Sequence, residues 1–492
     1  MNRNTSRSHS PDLFAIAHRA MLDAGFVPDF SANVEQQAHS LVGKPASGGD
    51  PAIRDLRSLL WSSIDDARSR DLDQVEYAEI IPNGETRLLV GIADVDALVP
   101  KGSAIDLYAA ENCTSVYAGV KTFPMLPEEL STDLTSLNQN QDRLAVITEM
   151  VLAKDGSLKS TNIYRARLRS KAKLSYESVG AWLDEHADLP PALKTIPDLE
   201  AQIRLQSDSA NKFAEIRRQQ GAIELGTIQT TPVVDKNGNV TELAVTEQNS
   251  ARDLIANFMI NANVAMAQFL EKKGGLSLRR IVRTPKYWSR IVEIAAELGE
   301  KLPATPDSRA LADFLARQKK SDPSHFPDLS LAVVKSLGPG EYAVQRPGEE
   351  GEGHFGLAVQ DYTHSTAPNR RFADLVTQRL VKAAISGQPA PYTEAELTAI
   401  AQQCTLRESG ARKVERTMRK VAAAVLLQDK VGQQFEAMVT GVTEKGTFAR
   451  ILKPPADGRV VRGEHGMQVG EKVRVRLLST DPQRGFLDFA RA

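Results

Sequence analysis

The chain has 492 residues, which is long enough for more than one domain and a large hydrophobic core. Its composition, 41% hydrophobic and 25% charged with few aromatic residues, is typical of a soluble globular protein. A net charge of -1 gives no overall attraction to nucleic acids or anionic membranes. Any site for a polyanion therefore has to be built locally.

Cysteine content and hydropathy predict the compartment. Cys113 and Cys404 belong to no motif, which argues against a disulfide framework and against a cysteine-ligated zinc site. No apolar run approaches the ~18 residues that a membrane span requires. The first residues lack the apolar core of a signal peptide. We therefore expect a cytoplasmic protein with no membrane partner.

The first fifty residues are predicted to be a tail, two helices and a linker. Residues 1–10 are typical of a disordered tail, and apolar residues at helical spacing predict helices over 12–24 and 33–42. The segment at 41–52 is rich in Gly, Pro and Ala, which indicates a linker.

The pattern then changes to strands. The continuous apolar run at 88–95 predicts a buried strand. Residues 145–168 and 230–245 each contain two strand-like runs around a turn signal, Asp155-Gly156 in the first and Asn237-Gly238 in the second.

Helices dominate the sequence from about residue 250 onward. Within 411–426 the apolar residues step by three and four, which predicts one helix face. The last sixty residues return to short strands separated by glycine turns, as expected of a small closed β-barrel.

Four aspartates, Asp65, Asp66, Asp71 and Asp73, stand in one short segment. Asp65, Asp71 and Asp73 have the same parity, so in an extended chain they would share one face. Carboxylates on one face repel one another unless a cation lies between them, and hard divalent cations prefer oxygen ligands. The segment therefore indicates a magnesium or manganese site that acts on a phosphate ester.

Spacing alone leaves two alternatives open. The segment could be a solvated, charged loop in which Arg68 and Arg70 neighbour the acids. Its DLDQV sequence also fits the D-x-D-x-[TV] pattern of aspartate-nucleophile phosphatases. Those enzymes place the pattern directly after an apolar strand, whereas here it follows DARSR.

The stretch SIDDARSRDLDQ resembles the signature of the ribonuclease II and ribonuclease R family of exoribonucleases, in which five residues separate an aspartate from D-x-D-D. Other segments resemble further family blocks in the same order: GIADVDALVPKGSAIDLYA (91–109), TSVYAGVKTFPMLPEELSTDLTSL (114–137), SKAKLSYESVGAWL (170–183) and HFGLAVQDYTHSTAPNRRFADLVTQRL (354–380). Together the resemblance covers roughly residues 50–492.

The resemblance implies a mixed α+β fold with three parts. We expect a short helical N-terminal module and linker at 1–48, a large RNB exoribonuclease catalytic domain at 49–430, and an all-β OB-fold RNA-binding barrel at 431–492. The family commonly carries two small OB-fold domains at the front, which residues 1–48 cannot form. They could form a helix-turn-helix-like module with GFVPDF (25–30) as its turn, or an arm packed on the catalytic domain. In both cases we expect a more open entrance and a different tolerance of structured RNA.

Asp65, Asp71 and Asp73 match the first three acids of the signature, which the resemblance implies bind metal and position the attacking water. Asp73 is also predicted to be catalytic. Gln74 stands where the family has its fourth acid. Its carbonyl can still coordinate a hard cation but brings no charge. We therefore expect weaker metal binding, or a ligand from elsewhere.

Two acids could supply that ligand, Asp66 and Asp94.

Arg370 matches the catalytic arginine, whose planar guanidinium suits a bidentate grip on phosphate. Tyr176 matches a tyrosine beside the terminal nucleotides and is predicted to be both catalytic and RNA-binding. The family glutamate that acts with this tyrosine in recognising ribose falls at Asn257, which puts the details of that recognition in question.

Three further residues are predicted to contact RNA by the same resemblance. Tyr117 matches an aromatic residue that stacks near the RNA 3′ end, although a tyrosine in SVY is also typical of a core. Glu415 matches a glutamate that contacts bases, although a solvated glutamate among cations is an alternative. Arg371 follows the catalytic arginine.

Basic runs at 164–173, 278–290 and 407–420 favour a local RNA groove.

We therefore expect a metal-dependent, processive 3′-to-5′ exoribonuclease that hydrolyses single-stranded RNA with a free 3′ end to 5′-mononucleotides. The expected cofactor is Mg²⁺ or Mn²⁺, and no obligate protein partner is indicated. The alternative is a catalytically impaired RNA-binding protein on the same fold, which Gln74 and Asn257 support. The other matched residues are all present and favour catalysis.

Overall fold

The computed structural model describes residues 11–43, 51–226, 229–235 and 239–492. The predicted tail at 1–10, most of the predicted linker and the turn at Asn237-Gly238 lie outside the described residues.

The described residues form twelve α-helices: α1 Leu13–Asp23, α2 Ala32–Leu41, α3 Ala104–Asn112, α4 Tyr176–Leu183, α5 Pro191–Thr195, α6 Leu199–Gln220, α7 Ser250–Lys272, α8 Trp288–Glu297, α9 Ser308–Ser321, α10 Phe326–Leu337, α11 Phe372–Ser386 and α12 Glu394–Leu426. The two N-terminal helices and the helical C-terminal half are confirmed. The long helix α12 begins at a capping box in which Thr393 and Glu396 each accept from the other's backbone N–H.

Seventeen strands lie in the same described ranges: β1 Arg54–Asp55, β2 Trp61–Asp65, β3 Gln74–Ile80, β4 Thr86–Ala93, β5 Val116–Tyr117, β6 Thr122–Phe123, β7 Asp142–Leu152, β8 Leu158–Ser175, β9 Gln229–Val234, β10 Val240–Thr246, β11 Ser277–Ile281, β12 Glu341–Gln345, β13 Gln434–Thr443, β14 Gly446–Leu452, β15 Pro455–Arg462, β16 Lys472–Asp481 and β17 Phe486–Arg491. The predicted buried strand is β4, and the predicted hairpins are β7–β8 and β9–β10.

The main sheet has the strand order β1-β8-β2-β3-β4-β7. Strand β7 also pairs with β8, so the sheet closes on itself through that long strand. Strand β8 runs parallel to β1 and β2, and the other neighbours are antiparallel. Asp65 lies opposite Ser175, and Ser62 lies opposite Glu76.

Both faces of this sheet are covered by helices, because its buried strands have apolar residues on both sides. Helices α3 and α11 pack on one face, with Trp61 and Val75 in that core. Helices α4, α6 and α7 pack on the other face, with Ile64 and Ala78 in that core.

The N-terminal helices pack against the rest of the protein. Met21 of α1 is buried in one apolar cluster with Val414 and Met418 of α12. The hydroxyl of Tyr108 donates to the carbonyl of Val27 at 2.8 Å, which fixes the turn between α1 and α2. These contacts favour the packed arm over a separate helix-turn-helix module.

The C-terminal strands form a closed five-stranded barrel in the order β13-β14-β15-β17-β16, which confirms the predicted OB-type barrel. Its core joins the end of α12, since Val421 of that helix and Leu427 just after it belong to one apolar cluster with Val439 and Leu477. In the described ranges, no helix is both long and apolar enough to cross a membrane.

Candidate active site

The aspartate segment is a reversal of the chain between two strands. Asp65 ends β2 and Gln74 begins β3, with residues 66–73 forming the connection. The segment is therefore not extended, and residue parity does not explain how Asp65, Asp71 and Asp73 are arranged. The acids come together because antiparallel β2 and β3 bring the end of one strand beside the start of the other.

Asp73 is the most buried of the three matched acids, with 4% of its side chain exposed. Its Oδ1 accepts from the backbone N–H of Asn369 at 3.0 Å, and its Oδ2 lies 3.4 Å from Nε of Arg370. Burial raises the pKa of Asp73 to about 7, against the opposing charge of Arg370. The sheet edge and the segment that precedes α11 thus meet at this carboxylate.

Asp71 is held by hydroxyl groups. The Tyr117 hydroxyl donates to its Oδ2 at 3.2 Å, and Ser69 donates to its Oδ1 at 3.3 Å. The backbone N–H of Tyr117 donates to Oε1 of Glu415 at 3.3 Å. The structure therefore brings the predicted RNA contacts Tyr117 and Glu415 to the same place as a predicted metal ligand.

Asp65 lies within electrostatic reach of Asp71 and Asp66. Burial raises its pKa, and the negative charges of Asp71 and Asp66 act in the same direction. In the described part of the chain, no group of three or more His, Cys, Asp or Glu side chains closes around a single point as a metal site would. The donor set of carboxylate and amide oxygens nevertheless fits a hard divalent cation.

The structure also locates the substitutes predicted for the missing fourth acid. Asp94 is fully buried and forms ion pairs with Arg165 at 3.1 Å and Lys382 at 2.7 Å. Asp66 pairs with Arg252 at 2.9 Å. Both oxygens of Asp94 are thus committed to other partners, whereas Asp66 is 60% exposed and pairs through one oxygen. Gln74 is 8% exposed, at the start of β3.

Glu76, which the sequence interpretation missed, is a buried acid beside this site. It is 0% exposed, and neither of its carboxylate oxygens has a hydrogen-bond partner in the part of the chain that the structure describes. Burial raises its pKa well above the usual value, and Asp65 raises it further. A glutamate between Val75 and Tyr77, with the parity of Gln74, was the signal that could have revealed it.

The two consecutive arginines differ in their surroundings. Arg370 has 43% of its side chain exposed, and its carbonyl accepts from the N–H of Ser115 at 3.0 Å. Arg371 donates from Nε and from a terminal nitrogen to the two oxygens of buried Asp374, each at 2.8 Å. Only Arg370 has its guanidinium available for a ligand. The contacts of Arg371 are those of a structural residue, and its role in RNA binding stays a prediction.

Tyr176 begins helix α4, and Asn257 lies in helix α7. Both helices cover the same face of the main sheet. The guanidinium of Arg252 lies 4.3 Å from the centre of the Tyr176 ring. Burial raises the pKa of the Tyr176 hydroxyl, as do the charges of Asp65 and Glu76. Asn257 donates to the carbonyl of Asp253 at 2.7 Å and accepts from Arg217, so its amide is used within the protein.

An open cavity of about 1220 Å³ adjoins the site. Its walls include the 66–71 loop, Tyr117, Arg252, helix α4 and part of the β9–β10 hairpin. Asp71 and Tyr117 thus face a space large enough for an extended ligand.

The basic runs are mostly engaged in ion pairs. Arg165 pairs with Asp94, and Arg280 pairs with Glu408 at 2.7 Å. In α12, by contrast, Arg419 and Arg412 lie within electrostatic reach of Glu415, which accepts from the N–H of Tyr117. Of the three predicted runs, the third therefore offers cations near Tyr117.

Comparison with known proteins identifies the fold and the family. The RNB domain matches residues 53–387, and the C-terminal S1 domain of RNase II-type exonucleases matches residues 433–492. The chain is 29% identical to ribonuclease R of Aquifex aeolicus over 467 residues and 30% identical to ribonuclease R of Vibrio cholerae over 451 residues. These alignments cover 89% and 88% of this chain but 64% and 53% of the relatives.

A solved structure is also similar, that of Mycoplasma genitalium RNase R in complex with ribose-methylated single-stranded RNA. It superimposes with a TM-score of 0.88 at 25% identity and covers 98% of this chain and 78% of the other. The acid and arginine site on a closed mixed sheet, followed by a small barrel, defines a protein with the fold of an RNB nuclease. The chain belongs to the ribonuclease II and ribonuclease R family. It spans about half to two thirds of the length of these two curated relatives.

Proposed function

We propose that this protein is a metal-dependent, processive 3′-to-5′ exoribonuclease that hydrolyses single-stranded RNA to 5′-mononucleotides. The observation that carries the proposal is the meeting of Arg370 and Asp73 at 3.4 Å, beside Asp71 and Tyr117 at an open cavity. A guanidinium beside several carboxylates, at an open cavity, suits the cleavage of a phosphodiester. Family membership supports the same reaction.

Each of these residues would have a role that follows from its chemistry. Arg370 would bind the scissile phosphate, because its guanidinium is partly exposed and can donate two parallel hydrogen bonds. Asp73, fixed by the N–H of Asn369, would orient the attacking water and hold Arg370 in place. Tyr117 would stack on a base while its hydroxyl holds Asp71.

Nucleases of this family typically need a divalent metal. We take the ion to be Mg²⁺, or Mn²⁺ in its place, because the candidate ligands Asp65, Asp71, Asp73 and Gln74 offer only oxygen donors. A bound ion would supply Lewis-acid stabilisation of the charge that develops on the phosphate.

Single-stranded RNA with a free 3′ end is the proposed substrate. The cations of α12 and the C-terminal barrel would bind its backbone, and stacking on Tyr117 would hold bases without reading sequence. Tyr176 would lie near the terminal nucleotide. The Mycoplasma relative bound to single-stranded RNA supports this substrate class. We retain 49–430 as the catalytic domain and 431–492 as the RNA-binding barrel.

A cytoplasmic location is part of the same proposal. Cys113 and Cys404 are both buried and unbridged, which suits a reducing compartment.

The test is the variant Asp73→Asn, which removes one negative charge and keeps the size of the side chain. We expect cleavage of a labelled single-stranded RNA to be abolished while the binding affinity stays within a few-fold of wild type. Unchanged turnover in this variant would contradict the proposal. Glu79→Gln is the matched control, since Glu79 lies on the same strand β3 and pairs with Arg87 at 2.7 Å.

A second candidate function is RNA binding without catalysis. Two observations favour it: Gln74 brings no charge, and the Asn257 amide is bonded to Arg217 and to the Asp253 carbonyl. A wild-type chain that binds single-stranded RNA but leaves it intact with either Mg²⁺ or Mn²⁺ would establish this alternative.

A further inference from the structure

Glu76 is a buried carboxylate that the fold does not compensate. It is 0% exposed on β3, and both of its oxygens lack a hydrogen-bond partner in the described ranges. Burying a carboxylate without a partner is strongly unfavourable, so such groups are normally paired or coordinate a metal ion. Without a cation beside it Glu76 stays neutral, because burial raises its pKa well above the usual value. A cation bound next to it would favour the charged form.

One of the two residues directly opposite Glu76 carries a side-chain oxygen. Ser62 lies directly opposite it on β2, and on the other side Val90 separates it from Thr148 of β7. Residues opposite one another in neighbouring strands project from the same face. The hydroxyl oxygens of Ser62 and Thr148 are likewise buried without a partner in the part of the chain described. In the described ranges, one row across the sheet thus contains side-chain oxygens without a hydrogen-bond partner, those of Ser62, Glu76 and Thr148.

Glu76 stands on the same face of β3 as Gln74, because residues two apart in a strand project to one side. The two positions are separated by roughly 7 Å along the strand. Asp65 lies close enough to act electrostatically on Glu76. One acid is missing at Gln74, and one acid without a partner stands two residues further along that face.

We propose that Glu76 supplies the negatively charged ligand that the family signature has at position 74, and that it binds the divalent cation of the active site together with Asp65 and Gln74. This inference rests on the proposed function, since it concerns the metal of that reaction. The ligand class is a hard divalent cation, because the surrounding donors are oxygens alone. The arrangement restores the negative charge that Gln74 removes.

The test is calorimetric titration of Mn²⁺ into the full chain without RNA. We expect Glu76→Gln to weaken Mn²⁺ binding at least ten-fold, and Glu79→Gln on the same strand to leave it unchanged. Adding Gln74→Asp to Glu76→Gln should return the affinity to within about three-fold of wild type, because the acid is moved back to the signature position.

Three results would count against the inference. Equal Mn²⁺ affinity of wild type and Glu76→Gln would overturn it while leaving the proposed nuclease intact. Absence of Mn²⁺ binding by the wild-type chain would overturn both this inference and the metal dependence in the proposed function. If the double variant stays as weak as Glu76→Gln, Glu76 does not replace the acid at position 74.

Folding of the variants is checked by circular dichroism in EDTA. If Glu76→Gln does not fold, Glu76→Asp takes its place, since it keeps the charge and shortens the side chain by one methylene. We expect that variant to bind Mn²⁺ more weakly than wild type, and equal affinity would overturn the inference.

Discussion

Nε of Arg370 lies 3.4 Å from Oδ2 of Asp73, so the segment before α11 and the edge of the main sheet meet at one ion pair. The remaining exposed part of the guanidinium is free to grip a phosphate. We predict that Arg370→Lys lowers the single-turnover cleavage rate by about 10²-fold or more, because lysine keeps the charge but loses the planar pair of donors.

The control for Arg370→Lys is Arg218→Lys, at an exposed helix position paired with Glu215. We expect that control to cleave at the wild-type rate. Wild-type cleavage by Arg370→Lys would show that a planar guanidinium is not needed at this position.

Tyr117 combines an exposed ring with a hydroxyl that holds Asp71. We predict that Tyr117→Ala weakens the binding of single-stranded RNA by about 1–3 kcal/mol through lost stacking, whereas Tyr117→Phe binds almost as tightly as wild type. Fluorescence anisotropy with labelled RNA in EDTA measures both affinities without cleavage. Unaltered binding by Tyr117→Ala would remove this residue from the RNA path.

The ion pair between Arg371 and Asp374 is a structural feature of the fold. Asp374 is fully buried, and Arg371 gives it two hydrogen bonds of 2.8 Å. We predict that Arg371→Ala lowers the free energy of unfolding by roughly 3–5 kcal/mol, because it leaves a buried carboxylate without its partner. Urea unfolding measures this loss, with Arg218→Ala as the exposed control. A variant of normal stability with reduced RNA affinity would instead place Arg371 in the RNA-binding surface.

The N-terminal arm is part of the protein core. Met21 is 2% exposed and packs with Val414 and Met418 of α12, whereas its neighbour Leu22 is 50% exposed. We predict that Met21→Ala lowers the free energy of unfolding by about 2–5 kcal/mol and that Leu22→Ala changes it little. If Met21→Ala reduced RNA binding without affecting unfolding, the arm would be a separate binding module.

Much of the fold could be predicted from local patterns. The continuous apolar run of β4, the turn signal between β7 and β8, and the glycine-punctuated barrel strands are all encoded close to where they act. The assembly of Asp73 with Arg370, by contrast, depends on a contact between distant segments. It was predicted only because several long blocks resemble a known family.

Other features of the site could not be predicted because they depend on tertiary structure. The parity argument for Asp65 and Asp73 holds only in an extended segment, whereas strand pairing makes the chain reverse there. Burial distinguishes Glu76 from Glu79, the other glutamate of β3, and burial is set by the helices that cover the sheet. The contacts of Arg371 with Asp374 likewise became evident only in three dimensions.

The most direct test of the proposed activity is a time course with a 5′-labelled single-stranded RNA and Mg²⁺ or Mn²⁺. An EDTA control and the same sequence as DNA are run in parallel. We predict metal-dependent shortening of the RNA from its 3′ end, with the DNA left intact. RNA that stays full-length with both metals, while a shifted band shows that it is bound, would contradict the proposed activity and identify an RNA-binding protein built on a nuclease fold.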